Sequence, residues 1–344
     1  MPIVALFWVA DRWLTDDGYV GWERNTVRNS VHRWDKSRRW ENERRPKVAV
    51  FGSSTSVDWL DLRKPYLANL LGVRRGDILD AHMNGCHQGC TWAEVRRMQQ
   101  RQNLKRCYLR GKNQCDPPKE KRFETVFFGT NLFQLCENTH SKRSLQHSML
   151  TPTVDIPALM NIYLEAEEPL LYIGRFWGTK ISGGYADTIA LRDYWGRKTI
   201  GKGRRGQSHR WYRAQRPKAE KDVLSCVYTP EAVAFKRRLT EGLLDDLHTL
   251  TDQVYLMLLP ERSLGLDDPE HKRRWAAHLD LHASLADARP WVTLVDLVTD
   301  GVSRHDHFRD DIHLNGKGMK VQRALFEKRL EALGVGATTG RSKK

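Results

Sequence analysis

Short apolar runs that end in small polar clusters, alternating with stretches of helix-like spacing, constrain this chain most. Val48-Ala49-Val50-Phe51 enters Gly52-Ser53-Ser54-Thr55, and Asp77-Ile78-Leu79-Asp80-Ala81 leads to Asn84-Gly85-Cys86-His87-Gln88-Gly89. Phe123-Glu124-Thr125-Val126-Phe127-Phe128 enters Gly129-Thr130-Asn131. An apolar run that stops at such a cluster reads as a buried strand closed by a tight turn. Leu60–Leu71 and Trp92–Asn103 follow the first two runs with helical apolar spacing. Two more strands are predicted at Gln253–Leu259, closed by Pro260, and at Trp291–Leu297. A charged amphipathic helix over Pro269–Arg289 separates them, and another helix is predicted over Gly316–Leu333. Strand, helix and strand in succession make βαβ units, so the expected fold class is α/β, a parallel sheet with helices on both faces.

Chemistry-bearing residues gather at the ends of these strands, which is where open α/β sheets carry their sites. A hydroxyl nucleophile needs a base to take its proton, and the base needs a carboxylate to hold its tautomer. Donors aimed at the developing oxyanion complete the set. Four segments, in order, supply a Ser, two Gly/Asn donor sites, and an Asp and a His one helical turn apart in Asp310-Asp311-Ile312-His313. Each alone has a plainer reading, as hydroxyls capping a helix or an ordinary strand-to-helix loop.

Together the four segments resemble the blocks of the SGNH (GDSL-type) serine hydrolase superfamily. The resemblance covers roughly 45–135 and 250–334, and implies a flavodoxin-like three-layer α/β/α fold with five parallel strands. It makes Ser54 the nucleophile, His313 the general base and Asp310 its orienting carboxylate, with Asp311 as the alternative. The oxyanion donors it implies are the N–H groups of Ser54 and Gly89 and the side-chain amide of Asn131. The family places an Asn five residues ahead of its oxyanion Gly, and Asn84 therefore points to Gly89 rather than Gly85. One departure stands out: the family's Gly-Asp-Ser is here Gly52-Ser53-Ser54. His305 and His307 lack the spacing and are expected to be solvated loop histidines.

Outside the core, 1–46 is expected to be an N-terminal linker or truncated anchor region, and 336–344 a disordered tail. The hydrolase core is expected at 47–136 and 231–335. The intervening 137–230 is too long for a loop and is expected to form an insert or cap, with a helix over Pro157–Phe176. It carries basic and aromatic residues, among them Arg204, Arg205, Arg210, Trp211 and Arg213, which suit an anionic or glycan substrate. The alternative is a solvated basic face with its aromatics packed inward.

The chain has 57 basic and 42 acidic residues among 344, a net charge of +15, which favours anionic partners. No zinc-finger, helix-turn-helix or RRM signature supports a dedicated nucleic-acid domain. Six cysteines are compatible with disulfides, Cys107 with Cys115 being the best local pair, and their spacing does not suit a zinc site. Met1–Ala10 is apolar, and two readings stand: the tail of a membrane anchor, or a short element packed on the domain. The first, with the resemblance to membrane-anchored envelope members, favours the cell envelope. The implied chemistry requires no metal or organic cofactor. Two functional expectations follow. One is a serine esterase or O-acyltransferase acting on an acyl ester, with an envelope polysaccharide as a candidate substrate. The alternative is a non-catalytic module that holds an anionic polymer with its basic insert.

Overall fold

The computed structural model describes residues 47–53, 55, 59–60, 65–82, 88, 91–92, 95–96, 99, 121–132, 170, 173–174, 177–178, 230–262, 268–301, 304–309 and 312–335. Five strands, β1 (Val48–Phe51), β2 (Ile78–Asp80), β3 (Thr125–Thr130), β4 (Val254–Leu258) and β5 (Val292–Asp296), form one sheet in the order β2-β1-β3-β4-β5. Every pairing is parallel, with Val48 beside Ile78 and Thr125, Val126 beside Val254, and Val254 beside Val292. The order 2-1-3-4-5 is that of flavodoxin-like doubly wound sheets, whose sites lie beyond the carboxyl ends of the strands.

Alternate residues of each strand feed two cores. Ala49, Phe51, Leu79, Val126, Phe128, Val254, Leu256 and Leu258 face one side. There they meet Leu243, Leu244 and Leu247 of α2 (Pro230–His248) and Trp275, Leu281 and Leu285 of α3 (Pro269–Asp287). On the other side Val48, Val50, Ile78, Phe127, Tyr255, Met257 and Val295 meet Leu67 and Ala68 of α1 (Tyr66–Leu71) and Leu325, Phe326 and Leu330 of α4 (Gly316–Ala332). Such two-sided burial explains why the strands read as continuous apolar runs. Each fully buried large side chain contributes about 1.5–3 kcal/mol.

Local rules set most boundaries. Asp268 caps α3 by accepting from the His271 N–H at 2.7 Å, and Pro269 follows at the first helical position, where no partner for its missing N–H is needed. Gly72, with φ 66°, ends α1 in the left-handed conformation that a side chain would oppose. Of the helix expected over Leu60–Leu71, Tyr66–Leu71 is described as helical, with Pro65 at its N-cap position. Trp59 and Leu60 instead form a buried turn. Strand β2 is shorter than expected: Arg75–Asp77 is a 3-10 turn, with Asp77 held by Arg74 at 3.1 Å.

Helix α2 is a finding the sequence reading passed over. It starts at Pro230 and buries Leu239, Leu243, Leu244 and Leu247. Asp246 anchors it by accepting from Trp92 Nε1 and Arg96 Nε, while Gln99 Nε2 donates to the Asp246 carbonyl at 3.0 Å. Gly242 permits this close approach, since a Cβ there would lie 2.7 Å from the Trp92 ring. Trp92, Val95 neighbour Arg96 and Gln99 are helical, as expected for that segment. Of the helix expected over Pro157–Phe176, Leu170, Ile173 and Gly174 are described and helical. The six cysteines, the first 46 residues and most of the 137–230 insert lie outside the described residues. Among the described residues, no helix is long and apolar enough to cross a membrane.

Candidate active site

Strand β1 delivers its chain to Gly52, whose φ of 130° belongs to a conformation that glycine tolerates and other residues resist. Ser53 and Thr55 follow, both buried, with their hydroxyl oxygens 2.7 Å apart. Ser54, the expected nucleophile, lies outside the described residues, as do Gly89, Asp310, Asp311, Arg204, Arg205, Arg210, Trp211 and Arg213. Of the expected site, the structure therefore describes Asn131 and His313.

Asn131 leaves the end of β3 beside the β1 turn. It is 1% exposed, and its Nδ2 donates to the Thr55 hydroxyl at 3.4 Å. The register that pairs Phe51 with Phe128 makes this contact possible, because both strands end at the same edge. From the β2 side, Gln88 reaches across and donates through Nε2 to the Thr130 hydroxyl at 3.3 Å. Two polar contacts, Asn131 to Thr55 and Gln88 to Thr130, thus lie at the carboxyl edge of the sheet. Thr55, Gln88 and Thr130 were not singled out from sequence. A hydroxyl two residues after Ser53 and a glutamine one residue before Gly89 were the available signals, and neither marks a contact across strands. Glu261, 1% exposed just beyond β4, was also missed.

The segment carrying His313 follows β5. Asp296 accepts from the N–H groups of Val298 at 2.8 Å and Thr299 at 3.0 Å, turning the chain away from the sheet. His305–His307 then form a 3-10 turn, and Phe308 and Leu314 pair in an antiparallel bridge. Inside that bridge the Arg309 N–H donates to the His313 carbonyl at 2.9 Å. His313 is half-buried. His307 departs from the expected solvated loop histidine: it is half-buried, and its Nδ1 is shielded from solvent. The side chain of His305 lies outside the described residues.

Helix α4, which begins three residues after His313, ties this segment back towards β1. Phe326 packs edge-on against Trp59 at 5.0 Å and against Phe127 of β3 at 5.9 Å. Arg323 donates to the Trp59 carbonyl at 2.6 Å and covers the Tyr66 ring at 4.7 Å. Trp59 and Tyr66, on the chain that follows β1, are therefore braced by the helix that follows His313. Among the described residues, no group of three or more His, Cys, Asp or Glu side chains is arranged to hold a metal ion.

Comparison with protein-family models, with curated proteins and with solved structures finds no match to this chain.

Proposed function

We propose that this chain is a serine esterase or O-acyltransferase of the SGNH type. The observation that carries the reading is positional. The four sequence blocks follow β1, β2, β3 and β5 of a parallel sheet ordered 2-1-3-4-5, and the first and third meet through Asn131 and Thr55. In this reading Ser54 Oγ attacks an ester carbonyl as His313 takes its proton, and Asp310 steadies the imidazolium. The N–H groups of Ser54 and Gly89 and the amide of Asn131 receive the oxyanion. Collapse of the tetrahedral intermediate expels the alcohol, which takes the proton from His313. Water then resolves the acyl-enzyme, or a sugar hydroxyl accepts the acyl group.

The engagement of Ser53 with Thr55 favours Ser54 over Ser53 as the nucleophile, since a buried, hydrogen-bonded hydroxyl is poorly placed to attack. The basic, aromatic stretch around Arg204–Arg213 favours an anionic or glycan substrate in an envelope setting. The same stretch supports the alternative, a non-catalytic module holding an anionic polymer. A serine-reactive organophosphonate separates the two. Covalent labelling of the wild type, abolished by Ser54→Ala and retained by Ser53→Ala, is the expected outcome. Loss of labelling in Ser53→Ala alone would move the nucleophile by one residue, and no labelling of the wild type would favour the binding module. Given a small activated ester with and without glycan acceptors, a transferase forms acylated glycan, whereas a hydrolase yields only free acid.

A further inference from the structure

We propose that Asn315 is a positioning residue for His313, a role that rests on reading His313 as the base. Its one side-chain amide does two separable jobs. Through Oδ1 it caps α4, accepting from the N–H groups of Lys317 at 2.9 Å and Gly318 at 3.1 Å. Through Nδ2 it donates backwards to the carbonyls of Asp306 at 2.5 Å and Phe308 at 3.5 Å. Its backbone N–H also donates to the His307 carbonyl at 2.8 Å.

Capping requires only the acceptor, which Asp or Ser supplies as well as Asn. The donor end is surplus to capping, and it closes the loop on which His313 rides. The described residues on either side of His313 add further constraints. Phe308 and Leu314 pair across it and are both buried, and the His313 carbonyl is held by the Arg309 N–H. Gly318 lets the first turn of α4 press against the loop, since a Cβ there would stand 2.2 Å from the His307 carbonyl oxygen. His313 is thus fixed relative to a helix whose far half is packed on Trp59 and Phe127. A general base must hold its place to a fraction of an ångström, and Asn315 sets the loop register that does so.

Asn315→Asp separates the two jobs. The carboxylate still caps α4, but its second oxygen faces two carbonyl oxygens to which it cannot donate. In the full-length protein the midpoint of thermal unfolding should move by less than about 4 °C, because the cap is retained. The imidazole resonances of His313, assigned by their loss in His313→Gln, should shift, and the midpoint of their pH titration should change. Organophosphonate labelling should slow by roughly tenfold to a hundredfold, the usual consequence of a misplaced base. Asn315→Ser, which keeps a capping oxygen and replaces the amide N–H donor by a shorter hydroxyl without adding charge, should reproduce both effects and serves if the Asp variant does not fold. His313 resonances and titration that superimpose on the wild type in both variants would overturn the proposal, whatever the labelling rate. If the wild type is not labelled while the His313 resonances still respond, the positioning role stands and the esterase reading falls.

Discussion

Acidification tests the packing of α3 quantitatively. His278 and His282 lie one turn apart on that helix, fully buried, with ring centroids 4.3 Å apart. His282 Nδ1 donates to the His278 carbonyl at 2.8 Å, while its Nε2 and both ring nitrogens of His278 have no hydrogen-bond partner among the described residues. Burial pushes the His282 imidazole from 6.5 down to about 4, against the opposing pull of its bond to the His278 carbonyl. Burial, and secondarily the neighbouring His282, push His278 well below its usual value. Both rings are therefore neutral in the folded protein at pH 7, whereas the unfolded chain takes up its protons near the ordinary value of about 6.5. Between about pH 6.5 and 4 the unfolded state binds more protons, so this stability is complete above that window and is lost as pH falls through it. At about 1.4 kcal/mol per pH unit, the drop from 6.5 to about 4 corresponds to about 3 kcal/mol from His282. About 2 kcal/mol of that is already lost at pH 5, and His278 acts in the same direction. Urea denaturation of the wild type and His282→Leu at pH 7 and pH 5 supplies the measurement. Carboxylates titrate in both proteins, so the difference between them isolates the histidine. The variant should lose less stability on acidification by about 2 kcal/mol. Parallel losses would show that His282 is not a buried neutral imidazole.

Three further outcomes are expected. Gly318→Ala gains up to about 1 kcal/mol of helix propensity, yet its Cβ would stand 2.2 Å from the His307 carbonyl oxygen, so a net loss of about 1–2 kcal/mol should result. Gly316→Ala meets nothing within 4 Å and should be neutral or slightly stabilising; a Gly318→Ala protein more stable than wild type in urea would refute the close approach. Asn131→Ala should slow ester turnover by roughly 10²–10³-fold, and a change of less than about fivefold in kcat would remove Asn131 from the oxyanion site. Neutralising Arg204, Arg205, Arg210 and Arg213 together should raise KM for an anionic or glycan ester and leave a small neutral ester unaffected, whereas equal losses on both would assign the arginines to folding.

Residue patterns along the chain were sufficient for what depends on near neighbours. Val48–Phe51, Val254–Leu258 and Val292–Asp296 were legible as strands because each is an apolar run closed by turn-forming residues. The start of α3 was legible in Asp268-Pro269, a cap followed by a residue that needs no N–H partner. Helix α2 was not read, although Leu239, Leu243, Leu244 and Leu247 carry helical spacing. Lys236-Arg237-Arg238 interrupts its apolar pattern, and its packing depends on Trp92 and Arg96, about 150 residues earlier in the chain. Asn131 was a candidate because Gly129-Thr130-Asn131, after an apolar run, resembles the superfamily's third block. That its amide rests on Thr55 was not legible, because Thr55 lies 76 residues away.

The sequence by itself determined the α/β class, the places of the strands and the order in which Ser54, Gly89, Asn131, Asp310 and His313 occur, since periodicity, turn chemistry and caps act over a few residues. Only the tertiary structure decided that β1 lies between β2 and β3, that Thr55 joins Ser53 to Asn131, and that α4 returns from the His313 loop to brace Trp59. It also decided that His307 is half-buried, and that His278 and His282 are enclosed and uncharged at neutral pH. The reason is physical. Pairing register, burial and proton affinity depend on which distant segments share a neighbourhood, and that neighbourhood exists only once the sheet and both helical layers have closed around it.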